Sequence, residues 1–190
     1  RLGRFLLAFL FYNDGIQTVI SMATIYGKEQ LGFSTTLLMV TLLLIQIVAV
    51  PGALGFSALA ARITARRALC VSLLVWVGIT VYAYFMTRPA EYLALGVVVG
   101  LVLGGSQALS RSLYGAMIPK EASAEFFGYF SVINKFSSIL GPLVFAVVTQ
   151  VTGGSRGALL FLVSFFVLGL ALLRRPLRTE PHAGETTPSS

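Results

Sequence analysis

Six apolar runs of membrane length dominate this sequence. They are Phe5–Tyr26, Thr36–Leu59, Ala68–Met86, Tyr92–Ile118, Phe126–Val151 and Gly157–Leu173. A helix needs roughly 20 apolar residues to cross a bilayer core about 30 Å thick, so each run has the length of a transmembrane helix. The connections between runs are short, which makes consecutive spans antiparallel neighbours. The sequence therefore predicts an all-α polytopic membrane protein with six transmembrane helices in residues 1–173.

The composition argues against a water-soluble enzyme. Of the 190 residues, 56% are apolar and only 11% are charged, too few to cover the surface of a soluble globule. The single cysteine, Cys70, and the single histidine, His182, leave no set of ligands for a metal site. No histidine and no pair of carboxylates lies within a run, so intramembrane catalysis lacks its usual groups. We expect no cofactor, no metal and no enzymatic activity.

The basic residues indicate a membrane topology. Nine of them flank the runs at one set of alternating ends and three flank the other set, which places the first set in the cytoplasm together with both chain ends. This distribution explains the net charge of +7 without a nucleic-acid partner. The nine are Arg1, Arg4, Arg62, Arg66, Arg67, Lys120, Arg174, Arg175 and Arg178; the three are Lys28, Arg88 and Arg156. Residues 174–190 are rich in Pro, Thr, Ser and charge and are expected to form a disordered cytoplasmic tail.

Small residues recur at four-residue spacing in two of the runs. Such stripes let helix backbones approach closely in a membrane, where dispersion contacts replace the hydrophobic drive. They predict tight helix packing first, and a sliding surface in a moving protein as the alternative. The stripes are Gly96, Gly100 and Gly104 in the fourth run and Ala49, Ala53, Ser57 and Ala61 in the second.

Charged side chains within the runs point to a polar layer at the middle of the membrane. A charge there costs about 2.5–3.5 kcal/mol, so it needs a partner or a wet cavity. Asp14 and Lys135 each lie nine residues into their runs, which is a depth of roughly 14 Å. Polar residues on four of the runs lie at approximately this depth. The candidate residues for substrate binding or coupling are Asn13, Asp14, Gln17, Gln46, Gln107, Asn134 and Lys135.

One negative and one positive group at the same depth suit a zwitterionic solute. Our hypothesis is that Asp14 attracts an ammonium group and Lys135 a carboxylate, while the nearby amides form hydrogen bonds. A second hypothesis is that Asp14 binds and releases a proton during transport. Structural alternatives remain: Lys135 snorkels to the lipid headgroups, Asp14 is a buried structural partner, and Arg111 is an interface anchor.

Two segments, Gly104–Leu143 and Phe9–Val19, resemble the C-terminal half of a major facilitator superfamily transporter. The branch they are most similar to is the vacuole-effluxer-like group, which contains the autophagy-related amino-acid effluxer and many bacterial proteins. The inner loop Ser57–Arg67 resembles the superfamily's basic loop, in which Arg62, Arg66 and Arg67 agree with the motif. Ser57, Ala61 and Thr64 replace the Gly, Asp and Gly of that motif. With Arg111, the three loop arginines are the residues for which the resemblance implies a gating role.

The resemblance implies a twelve-helix transporter of two halves, each made of two inverted three-helix repeats. This chain would supply the second half, with its first and fourth helices lining a central cavity and its third and sixth facing lipid. We expect the N-terminal half to have been cut away, since the chain starts with Arg, or a second copy to take its place. The expected function is secondary active transport of a small polar solute such as an amino acid, in a bacterial inner membrane. The alternative is a six-helix membrane scaffold or receptor that transports nothing.

Overall fold

The computed structural model describes residues 2–29, 31–119, 122–152 and 155–174, and these form six α-helices. Five of the helices are long and apolar enough to cross a membrane, and the sixth has a shorter apolar segment, Leu160–Arg174. The predicted all-α, polytopic architecture is thus confirmed. Arg174 ends the last helix, and the rest of the predicted tail lies outside the described residues. The helices are α1 Leu2–Glu29, α2 Thr35–Ile63, α3 Ala65–Phe85, α4 Pro89–Gly115, α5 Ser123–Thr152 and α6 Ser155–Arg174.

Local hydrogen bonds fix where α2 and α4 begin. Ser34 Oγ accepts from the Leu37 N–H at 3.3 Å, the usual N-cap arrangement. Pro89 occupies the first turn of α4, where its missing N–H costs nothing. The Glu91 carboxylate accepts from the N–H groups of Thr87 and Arg88 at 3.0 and 3.1 Å. These polar groups set the boundaries, while the apolar runs set the helices themselves.

Thr64 joins α2 to α3 with a backbone that is unusual for a β-branched residue. Its φ is 98°, a region that glycine adopts freely and that costs other residues about 1–3 kcal/mol. The residue ends α2 through its N–H to the Ala60 carbonyl and caps α3 through Oγ1, which accepts from the Arg67 N–H at 3.4 Å. Thr64 is one of the positions where the basic loop motif has Gly instead, so the strain lies where this chain departs from the motif.

We expect Thr64→Gly to raise the free energy of unfolding by about 1 kcal/mol, because relief of strain exceeds the entropic cost of glycine and the lost cap. Thermal unfolding in detergent or nanodiscs measures the change. Ser34→Gly is the matched control, since Ser34 also caps a helix but has an ordinary φ of −64°. That control should lower the midpoint slightly. An equal loss of stability in both variants would contradict the assignment of strain to Thr64.

The packing of the six helices is symmetric under exchange of the first three with the last three. The main packed pairs are α2 with α4, α1 with α5, α1 with α6, α3 with α4, α3 with α6, α5 with α6, and α2 with α3. Exchanging α1 with α4, α2 with α5 and α3 with α6 leaves this set of pairs unchanged. The contact pattern therefore has the pseudo-twofold relation that two inverted three-helix repeats produce.

The glycine stripe of α4 packs against α2, as its spacing predicted. A Cβ on Gly100 would lie 2.8 Å from the Ile45 carbonyl oxygen, and one on Gly104 would overlap the carbonyl of Ala49. On α2, Gly52 lies equally close to the backbone of Leu101. The two backbones are therefore in direct contact at three levels, which makes α2–α4 the tightest helix pair of the described chain.

Burial differs strongly between the helices. Within their most apolar windows, 56% of the residues of α1 and 50% of those of α4 are buried, but only 17% for α2 and 18% for α5. Large apolar side chains such as Ile47, Leu54 and Phe136 are exposed on the latter two helices. α1 and α4 therefore form the centre of the bundle, and α2 and α5 present broad apolar faces to lipid or to a partner.

Candidate functional site

A polar pocket opens between α1, α4 and α5 in an otherwise apolar bundle. It is small, about 10 Å³, and three amides and one guanidinium line it together with aromatic rings. We call it the amide pocket. Its amide and guanidinium residues are Asn13, Gln107, Asn134 and Arg111, and Tyr12, Ser106 and Ser110 also line it. Four helical residues that were singled out from the sequence thus lie around one volume, although they come from three helices.

The amide pocket continues into an open groove between α2 and α4. The groove has a volume of about 490 Å³ and contains Gln46, which is exposed. Gln107 and Arg111 line both the pocket and the groove. They lie four residues apart on α4, so they share one face of that helix. The two volumes therefore adjoin on one side of the bundle, where Gln46, Gln107 and Arg111 place polar groups along a largely apolar groove. We call this side the polar surface.

The amides of α1 and α5 are joined directly. Asn13 Nδ2 donates to Asn134 Oδ1 at 2.8 Å, and Asn13 is only 3% exposed. An asparagine offers two N–H donors and one carbonyl acceptor, so the pair keeps further donors and an acceptor after forming this bond. The pair thus both ties α1 to α5 and provides polar atoms at the pocket wall.

A buried hydrogen-bonded network forms part of the pocket wall and joins it to α3. The hydroxyls of Tyr12 and Ser110 lie 2.6 Å apart, and Ser110 Oγ donates to the Ser106 carbonyl. Trp76 Nε1 on α3 donates to Ser106 Oγ at 3.1 Å. Tyr12, Ser106 and Ser110 were not predicted from the sequence as pocket residues. The sequence does indicate the two serines: Ser106 and Ser110 are four residues apart on α4, as are Gln107 and Arg111, each one position further along.

Asp14 lies in the contact between α1 and α5, beside the amide pocket and not in it. Its carboxylate Oδ1 accepts from the backbone N–H of Gly141 at 2.6 Å, and the residue is 2% exposed. Thr18 Oγ1 donates to the Asp14 carbonyl at 2.7 Å. A Cβ on Gly141 would overlap Thr18 Oγ1, so the glycine is what allows this approach. We call this arrangement the Asp14–Gly141 contact.

Lys135 is exposed, and among the described residues no ion pair joins it to Asp14. Neither residue lines the amide pocket, and their sharing of one chamber stays a prediction. Counting residues gives the depth of a side chain along the helix axis but not its direction around the axis. One residue further along, a side chain points about 100° away. Asn13 and Asn134 face each other across the pocket, and each charged neighbour is consequently turned away from it.

Comparison with known proteins identifies the family. The model of the family described as "Vacuole effluxer Atg22 like" matches residues 2–179. The chain belongs to this family. Among its relatives, an uncharacterised MFS-type transporter, YxiO, of Bacillus subtilis is 41% identical over 169 residues, which are 89% of this chain and 39% of YxiO.

Fungal members of the vacuole effluxer family are more distant. Autophagy-related protein 22 of Saccharomyces cerevisiae is 30% identical over 203 residues, covering 98% of this chain and 38% of the yeast protein. Autophagy-related protein 22-1 of Aspergillus fumigatus is 28% identical over 184 residues, covering 89% and 30% respectively. The chain thus spans less than two fifths of each of these relatives. The resemblance stated from the sequence is confirmed, and the family is one of transporters, not of enzymes.

The other predicted residues, Gln17, Arg62, Arg66 and Arg67, do not line the amide pocket or the groove. Gln17 is half-buried on α1, one turn beyond Asn13. In the basic loop, Arg62 and Arg67 are exposed, and Arg66 Nε donates to the carbonyl of Leu173 at the end of α6 at 2.7 Å. The structure therefore gives Arg66 a contact that ties α3 to α6, and it places only Arg111 of the four arginines at the polar surface.

Proposed function

We propose that this chain is the C-terminal half of a secondary active transporter and that the amide pocket and its groove form half of the solute cavity. The supporting observation is the convergence of Asn13, Asn134, Gln107 and Arg111 from three helices within an apolar bundle. Polar groups inside membrane helices are costly and usually mark a solute or ion pathway. The solute is a small polar molecule that carries a carboxylate, such as an amino acid.

The chemistry of the pocket supports this solute class. The guanidinium of Arg111 matches a carboxylate with two parallel hydrogen bonds. The amides both donate and accept, so their carbonyl oxygens take the place that Asp14 had in the zwitterion hypothesis and bind an ammonium group. The rings of Phe9 and Phe130, with centroids 4.3 Å apart, provide an apolar wall. An apolar side chain of the solute would pack there.

The proposal requires a second half to close the cavity. The exposed apolar faces of α2 and α5 flank the polar surface, and relatives of this chain are more than twice its length. A second six-helix half in the same protein would cover both faces, and a second copy of this half is the alternative partner. Both ends of the half lie in the cytoplasm, because the arginines cluster at the end where α1 begins and α6 ends. For a bacterial protein the membrane is the inner membrane.

Arg111→Gln is expected to reduce transport in proteoliposomes and to weaken solute binding by roughly 10- to 100-fold, because a charge-assisted hydrogen bond is lost. A screen of amino acids on the full-length protein, by thermal shift, first identifies the solute. Arg88→Gln is the control: it removes one exposed positive charge outside the pocket, the groove and the basic loop. Equal transport by the wild type and Arg111→Gln would reject the pocket. If no solute crosses in the wild type, the scaffold or receptor function is favoured instead.

Asp14 is proposed to couple transport to protons. It is a carboxyl group buried at mid-membrane whose hydrogen bond from Gly141 depends on the contact between α1 and α5. Gly52 of α2 makes the equivalent approach to α4, and there it lies against Leu101. Close packing of a glycine against a neighbouring helix therefore does not require a carboxylate, which supports a role for Asp14 other than packing. Protonation of Asp14 would remove the charge that the Gly141 N–H stabilises and so weaken the α1–α5 contact.

A further inference from the structure

A second pocket lies at the arginine-rich end of the bundle, where α1 and α3 begin and α4 and α6 end. It has a volume of about 40 Å³, and its charged lining residues are Arg4 and Arg66. Its floor is apolar and is made by Phe5, Leu113 and Leu172. This headgroup pocket, as we call it, is separate from the amide pocket and shares no lining residue with it.

The charge around the headgroup pocket is strongly positive. Arg4 and Arg174 are exposed there, and both Arg66 and Arg174 lie close enough to act electrostatically on the Cys70 thiol. In the described parts of α1, α3, α4 and α6, no acidic residue lies at this end of the bundle. Glu125 lies in the first turn of α5, where it is exposed and does not line the pocket. The arginines of the lining helices therefore provide a local excess of positive charge.

Arg66 is held in place at the pocket wall. Its guanidinium donates to the carbonyl of Leu173, with Nε at 2.7 Å and Nη2 in contact with the same oxygen. This bond holds the start of α3 against the end of α6. Because Arg66 and Leu173 both line the pocket, the bond also fixes the position of one of its charges.

We propose that the headgroup pocket binds an anionic phospholipid from the leaflet at this end of the bundle. The phosphate would lie among Arg4, Arg66 and Arg174, since guanidinium groups match phosphate oxygens bidentately. The glycerol and upper acyl region would cover the apolar floor, a surface that a free anion in water does not use. Basic pockets between transmembrane helices on the cytoplasmic side are the usual sites for acidic headgroups.

The test uses the native full-length protein in nanodiscs of phosphatidylcholine, with or without phosphatidylglycerol, and measures retained lipid by native mass spectrometry and stability by thermal unfolding. The wild type should retain phosphatidylglycerol selectively and unfold at a higher temperature in its presence. In the double variant Arg4→Gln/Arg174→Gln, lipid affinity should fall by roughly 30-fold, because each basic residue near a membrane surface contributes about fivefold. The temperature difference between the two lipid mixtures should then disappear.

The matched control is Arg62→Gln/Arg67→Gln, which removes the same charge at the same end of the helices but outside the headgroup pocket. Equal losses in the two double variants would overturn the site in favour of diffuse surface attraction. Stabilisation by inorganic phosphate in lipid-free detergent equal to that by phosphatidylglycerol would also overturn it. If the Gln double variant unfolds in pure phosphatidylcholine, Arg4→Lys/Arg174→Lys replaces it. This variant keeps both charges and should retain phosphatidylglycerol. Loss of lipid selectivity in a folded Lys variant would count against a charge-based site.

Discussion

Replacing Gly141 with alanine is expected to destabilise the helix bundle by about 3 kcal/mol or more. The added Cβ would overlap Thr18 Oγ1 and would lie 2.8 Å from Asp14 Oδ1, so α1 and α5 would have to separate. Overpacking costs about 1–3 kcal/mol, and loss of the buried Gly141 N–H bond to Asp14 costs a further 1–3 kcal/mol. The thermal unfolding midpoint and the yield of folded protein in detergent measure this loss.

Gly128→Ala is the control for this prediction, because Gly128 lies on the same helix and a Cβ added there would have nothing within 4 Å. That variant should behave like the wild type or be slightly more stable, since alanine favours helix. Adding Thr18→Ala to Gly141→Ala removes the nearest clashing atom and should restore part of the lost stability. Equal effects of the two glycine variants would mean that α1 and α5 do not pack through Gly141.

The sequence predicted the helices well because membrane helices depend on one simple property, the length of an apolar run. The predicted run Ala68–Met86 corresponds to α3, Ala65–Phe85, and the other five agree to a similar extent. The boundaries differ where polar groups extend a helix beyond its apolar part. α2, for example, continues to Ile63, where Thr64 ends it. The run Tyr92–Ile118 was too long at its end, because the chain turns after Gly115.

The sequence predicted how deep in the helices the site residues lie, but not which face of each helix they occupy. Counting residues placed Asp14, Lys135 and Gln107 at similar heights, and polar residues of this layer do line the amide pocket. Which neighbour faces the pocket depends on helix rotation, and Asn13 and Asp14 are about 100° apart around α1. Rotation is set by packing, here by Gly141 against α1, which requires tertiary contacts that a single sequence does not provide.

The pseudo-twofold relation separates residues needed for packing from residues needed for function. Gly52 and Gly141 occupy equivalent helices and both approach a partner backbone closely, and each is adjacent in sequence to a proline within its helix. Because both repeats use this device, the glycines serve the fold. The partner residues differ, Leu101 in one case and Asp14 in the other, so the carboxylate is specific to one repeat.

Two substitutions at Asp14 distinguish its charge from its hydrogen bond. Asp14→Asn retains an Oδ1 that accepts from the Gly141 N–H but carries no charge and binds no proton. It should fold with a modestly lower unfolding midpoint, because the hydrogen bond remains but loses its charge assistance, as in protonated Asp14. Asp14→Leu leaves that N–H buried without an acceptor and should lower the free energy of unfolding by about 1–3 kcal/mol. If Leu is as stable as Asn, the Asp14–Gly141 bond contributes nothing to the fold.

The Asn variant also tests proton coupling. In proteoliposomes, it should still exchange solute across the membrane, because the amide pocket is intact, but it should no longer accumulate solute against a gradient when a pH difference is applied. Arg88→Gln again serves as the control, since it removes an exposed charge outside the pocket, the basic loop and the α1–α5 contact. Normal pH-driven accumulation by Asp14→Asn would reject coupling through this carboxyl group while leaving the amide pocket as the solute site. Loss of both exchange and accumulation in a well-folded Asn variant would instead make Asp14 part of solute binding.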